Sequence, residues 1–117
     1  MKGLLTVTLL GVLSTATAYA DCPAPDDNVT IPSGATASRD DMIAAQKAVK
    51  AYDAAVKAFQ DCLQQEEDAK VAGGADKDKT HQEYAKRSNA EVDKVQKLAD
   101  KFNVELRAFK AKNSGGG

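Results

Sequence analysis

The stretch RDDMIAAQKAVKAYDAAVKAFQDCLQQEEDAKVA, residues 39–72, decides the fold. Within it Met42, Ala45, Val49, Tyr52, Val56, Phe59 and Leu63 recur at alternating steps of three and four, which lines them along one helical face as a heptad seam. Lys47, Lys50, Lys57 and Asp61 fall on the other side. Ser38 followed by Asp41 is an N-cap with an acidic partner in the first turn, Ala37 and Met42 can staple the entry, and Gly73-Gly74 stops the helix. A helix over about 39–72 is therefore predicted.

Downstream, Thr80-His81-Gln82-Glu83 has the form of a capping box, preceded by the polar run Asp76-Lys77-Asp78-Lys79. Ala85, Ser88, Val92, Val95, Ala99, Phe102, Leu106 and Phe109 then repeat the same steps, and a second helix over about 80–112 follows. No proline occurs after Pro32 to break either helix, and 113–117 reads as a flexible tail. A short connection between two long helices favours an antiparallel hairpin. The fold class is thus all-α, a coiled-coil-like two-helix hairpin whose core seam is Met42, Val49, Tyr52, Val56, Phe59, Leu63, Val92, Val95, Phe102, Leu106 and Phe109.

Residues 1–20 carry Lys2, an apolar run from Leu4 to Leu13, and Ala18-Tyr19-Ala20, the pattern of a cleaved export signal. Polar Ser14, Thr15 and Thr17 end the apolar run short of a membrane span, and no later segment is apolar enough to cross a bilayer. Asp21 stands between the cleavage box and Cys22, which argues against lipidation of that cysteine. With the signal removed, 97 residues remain, and 15 basic side chains face 17 acidic ones. That balance gives no electrostatic footprint for nucleic acid.

Export places Cys22 and Cys62 in an oxidising compartment, where two cysteines in a small chain pair. Their surroundings lack the C-x-x-C arrangement of a redox-active pair. Cys62 lies about 35 Å along the first helix, while the chain from Cys22 to Arg39 can extend over about 55 Å. The bridge closes if residues 21–38 double back along the hairpin. Pro23, Pro25 and Pro32 favour an extended arm, Val29 and Ile31 give it apolar side chains to lay on the helices, and Gly34 permits the reversal. Leu, Ile, Val and Phe make up only 15 of the 97 residues, so two helices alone would be marginal and the arm must contribute.

The run Cys22-Pro23-x-Pro25, then Ile31-Pro32-Ser33-Gly34-Ala35-Thr36-Ala37, Met42-x-x-Ala45-Gln46-x-x-Val49-x-x-Tyr52 and Cys62-Leu63 resembles a group of small uncharacterised exported bacterial proteins. The likeness covers Cys22 to about Leu63. It implies an envelope location and carries no activity with it.

Residues suited to catalysis are few. His81 is the sole imidazole, and Asp78 three residues before it shares its helix face, but a metal site needs three or four ligands. Haem attachment would need C-x-x-C-H, and a calcium loop more acids than Asp76-Lys77-Asp78 supplies. Glu66-Glu67-Asp68 reads as solvated surface, and Glu91, Asp93, Asp100 and Glu105 interleave with the lysines of the second helix, a more balanced pattern than a nucleic-acid footprint. The expectation is a noncatalytic exported binding or structural protein of the bacterial cell envelope, periplasmic or secreted. It needs no cofactor, metal or nucleic acid, and its partner is an unknown protein or a second copy of itself. A periplasmic chaperone-like or inhibitor module is the alternative, followed by a metal carrier or enzyme. If the arm covers the flank of the hairpin a monomer suffices; an uncovered flank favours a homodimer.

Overall fold

The computed structural model describes residues 22–114. The expected signal at 1–20 and the last three residues of the tail lie outside them. Two helices, α1 (Arg39–Ala72) and α2 (Lys77–Ser114), pack against each other as an antiparallel hairpin, and among the described residues there is no strand. The register is visible in the cross-helix bonds. Glu67 meets His81 near the turn, Gln60 meets Ser88, and Tyr52 meets Glu91 farther down.

Helix α1 begins at a reciprocal capping box. The Asp41 N–H donates to Ser38 Oγ at 3.1 Å and the Ser38 N–H donates to Asp41 Oδ2 at 3.0 Å, which satisfies two otherwise orphan donors. That bond to the Ser38 backbone holds the Asp41 carboxyl below its ordinary value. At the far end the Gly73 N–H donates to the Ala69 carbonyl, and Gly74, at φ 101°, takes the left-handed conformation that turns the chain.

Helix α2 starts three residues earlier than the Thr80 pattern implies. The cap is Asp76: its Oδ1 accepts from the Lys79 N–H at 2.9 Å, while Thr80 sits inside the first turn, its own N–H and hydroxyl both donating to the Asp76 carbonyl. At the other end helix continues through Asn113 and Ser114, whose side chains donate back to the Phe109 and Ala111 carbonyls.

The arm from Cys22 to Ala37 is the third layer. Cys22 is bonded to Cys62 with Cα atoms 5.9 Å apart. Arg87 reaches the Cys22 carbonyl, Lys94 pairs with Asp27, Glu105 receives Gly34, and Lys112 reaches the Ala37 carbonyl. Residue numbers rise together, so the arm runs parallel to α2 and antiparallel to α1. It covers about 37 Å of helix with 15 residue steps, roughly 2.5 Å each, an extended path shortened by the turn at 33–37.

The core lies in two clusters along this three-layer wedge. Ile31 and Ala37 of the arm pack with Met42, Ala45 and Phe102, flanked by Val29, Val49, Leu98, Leu106 and Phe109. Nearer the turn, Cys22 packs with Phe59, Leu63 and Tyr84. On α1 the expected seam is the observed one: Met42, Tyr52, Val56, Phe59 and Leu63 are buried and Val49 is half-buried. On α2 the first half of the seam is shifted by one residue. Val92, expected in the core, is 43% exposed, while Glu91 is buried at 5%. The seam there runs through Tyr84, Glu91, Val95, Leu98 and Phe102, because Tyr52 on α1 needs a hydrogen-bond partner that Glu91 supplies and Val92 cannot.

Gly34 is where arm and α2 approach most closely. Its φ is not positive, so the glycine is needed for space rather than for backbone freedom. A Cβ there would collide with the Glu105 carbonyl and the Phe109 backbone nitrogen, neither of which can swing aside. Gly34→Ala should therefore cost more than about 2 kcal/mol in denaturant melts. Gly73→Ala, whose Cβ meets nothing closer than 3.4 Å, should change stability by less than about 1 kcal/mol. Equal effects would show that the arm does not sit against α2 at this point.

Candidate functional site

The polar groups that draw the eye are those buried between arm and hairpin. Burying an extended arm removes its backbone from water, and each N–H or carbonyl so removed needs a partner. Three glutamates on the hairpin supply acceptors or link the layers. Glu66, 5% exposed, accepts from the Cys22 N–H at 3.3 Å and lies 3.7 Å from Lys70 Nζ. Glu105 accepts from the Gly34 N–H at 2.7 Å. Glu91 accepts the Tyr52 hydroxyl at 2.8 Å on one oxygen and Lys94 at 3.1 Å on the other, and Lys94 in turn lies 3.1 Å from Asp27 of the arm.

Two cations complete the set from the carbonyl side. Arg87 Nη2 donates to the Cys22 carbonyl at 3.1 Å with its guanidinium stacked near the rings of Phe59 and Tyr84. Lys112 Nζ donates to the Ala37 carbonyl at 2.8 Å.

This packing shapes the titration of the site. Burial first, and then the hydrogen bond to Glu91, pushes the Tyr52 hydroxyl from an ordinary value of 10.0 up to about 12. Tyr84 is raised as well, by burial foremost, with Lys70 opposing and Glu66 reinforcing. Lys94 is raised by its bonds to Glu91 and then Asp27. Tyr52 and Lys94 are thereby held in the protonation states that their bonds require, while the buried Tyr84 hydroxyl has no hydrogen-bond partner among the described residues.

His81 is bonded to Glu67 of α1. Its Nδ1 lies 2.8 Å from Glu67 Oε1 across the hairpin, on a largely exposed side chain. Among the described residues no group of three or more His, Cys, Asp or Glu is placed to hold a metal ion. Glu66 was expected on solvated surface and is buried, while Glu91 and Glu105, read only as acids interleaved with lysines, lie on the seam. Their positions on the seam were open to being found, since Glu66 lies three residues after Leu63, and Glu91 and Glu105 stand 7 and 21 residues after Tyr84 on one heptad track.

Open clefts flank the arm. One of about 260 Å³ is floored by Tyr52 and Leu98 and rimmed by Lys94, Lys97, Lys101 and Asp27. Another, of about 340 Å³, is apolar and lies between Pro23, Ala24 and Pro25 of the arm and Ala55, Ala58 and Phe59 of α1. No helix among the described residues is long and apolar enough to cross a membrane.

No family model, no curated protein and no solved structure matches this chain.

The Tyr52–Glu91 bond has a measurable signature. A hydroxyl whose value is raised on folding stabilises the protein fully below pH 10, and that contribution is lost as pH climbs from 10 through 12. Tyr52→Phe should lower stability at neutral pH by about 1–2 kcal/mol and flatten the fall in stability between pH 10 and pH 12, read by denaturant melts across that range. Curves of identical slope for the two proteins would place Tyr52 in water instead.

Proposed function

We propose that this protein is exported and acts as a noncatalytic binding or structural component of the bacterial cell envelope, periplasmic or secreted. The observation that carries the reading is the Cys22–Cys62 disulfide, which closes the arm onto α1 and requires an oxidising compartment to persist. The signal-like pattern at 1–20 and the resemblance to small exported bacterial proteins point the same way. The buried and half-buried ionisable groups support a structural part: Glu66, Glu91, Glu105, Tyr52 and Arg87 are each occupied in holding arm and helices together. What such a scaffold offers a partner is its long helical surface. A chaperone-like or inhibitor role is the second reading, favoured by the apolar cleft beside Pro23 and Pro25.

Expression of the full chain in a bacterium, followed by release of the periplasm and intact-mass measurement, tests the proposal. The expected species lacks residues 1–20 and weighs two hydrogens less than the dithiol form. A cytoplasmic dithiol species that keeps residues 1–20, or a lipid-bearing one, would contradict it. Suppression of aggregation of an unfolded client by the purified protein would favour the second reading.

A further inference from the structure

The arm covers only one face of the hairpin. Clefts that include arm residues lie along that face, whereas two others are lined by helix residues alone. One lies between Arg39, Ile43 and Leu106, and the other between Gln64, Ala85 and Asn89. The arm-free face joins them. On α2 it follows Ala85, Val92, Ala99 and Leu106 at intervals of seven, a second apolar track beside the one that packs against α1. Val92 is 43% exposed on it and Ile43 of α1 is 39% exposed at its edge.

Two properties of this track point to its occupant. First, its flank is uncharged: Asn89, Gln96 and Asn103 border it in a chain of which 28% is charged, and depletion of charge marks the centre of a protein interface rather than a solvated face. Second, the track is complementary to its own reverse. Laid antiparallel about a two-fold axis near residues 95–96, Val92 falls opposite Ala99, Ala85 opposite Leu106, and Asn89 opposite Asn103, large on small and amide on amide. An isologous contact requires this kind of self-match.

We infer that a second copy of this chain docks on the arm-free face, α2 against α2 and antiparallel, so that two hairpins form a four-helix bundle with the arms outside. The track from Ala85 to Leu106 is about 32 Å long, and a face two helices wide spans about 20 Å, which gives roughly 600 Å² per copy. The total of roughly 1,200 Å² lies at the lower edge of the range of specific dimers. The association is therefore concentration-dependent. It also accounts for an apolar residue at position 92 that the monomer leaves in water.

Sedimentation equilibrium of the oxidised protein tests this, with a dimer expected at micromolar concentrations. Val92→Glu, at a position exposed in the monomer, should give a monomer with unchanged helical circular dichroism. Gln96→Cys should crosslink to its own copy on mild oxidation, because the axis passes beside it. Asn89→Cys should not, because the two copies of residue 89 lie about 20 Å apart along the bundle. A wild-type protein that stays monomeric overturns the inference, and so does a dimer that survives Val92→Glu. Should Val92→Glu fail to fold, the crosslinking pattern decides, and crosslinking at 89 but not at 96 overturns it.

Discussion

Where an extended segment is buried its own backbone must find partners, and the points at which this arm is fastened to the hairpin answer that demand. The arm has no neighbouring strand. Its Cys22 and Gly34 amides are met instead by carboxylates that rise from helix positions, Glu66 and Glu105, and its Cys22 and Ala37 carbonyls by Arg87 and Lys112. The disulfide closes a loop of 41 residues, which in the chain-entropy picture is worth about 4 kcal/mol to a small domain. It fixes the end of the arm that has only Cys22 to bury, while Ile31 and Ala37 fix the other end by packing.

The need for such an arm follows from the helices. Ala44, Ala48, Ala51, Ala54, Ala55 and Ala58 give α1 high helix propensity but little surface to bury. Two rods of this kind in contact would leave Met42, Phe59 and Phe102 partly in water. The arm inserts Ile31 against the first cluster and Cys22 against the second, and both become closed cores. A carboxylate on the seam is costly to bury unless paired, and at Glu91 the Tyr52 hydroxyl and Lys94 provide the pairing while Asp27 ties it to the arm.

The first helix was legible in the sequence because a single period runs through it and its cap and stop signals agree. The path of the arm was legible too, from three prolines, two cysteines and the reach between them. What could not be read was the phase of α2. Two apolar tracks lie side by side on that helix, and hydrophobicity alone favours Val92 over Glu91; only the hydroxyl of Tyr52 on another element reverses the choice. The bonds that Glu66, Glu91 and Glu105 make were hidden for the same reason, since their partners are backbone groups and side chains distant in sequence. Gly34 was read as a hinge, whereas contact with the Glu105 carbonyl, 71 residues away, dictates it.

The central claim is that the arm is a bonded layer and not a tether. Amide hydrogen exchange followed residue by residue by NMR on the oxidised protein tests it most directly. Burial of Cys22 and Gly34 and their bonds to Glu66 and Glu105 predict that these two amides exchange as slowly as those of the core residues of α1, such as Tyr52 and Val56. Exchange of both at the rate of an unstructured chain, while the helix amides stay protected, would contradict the account.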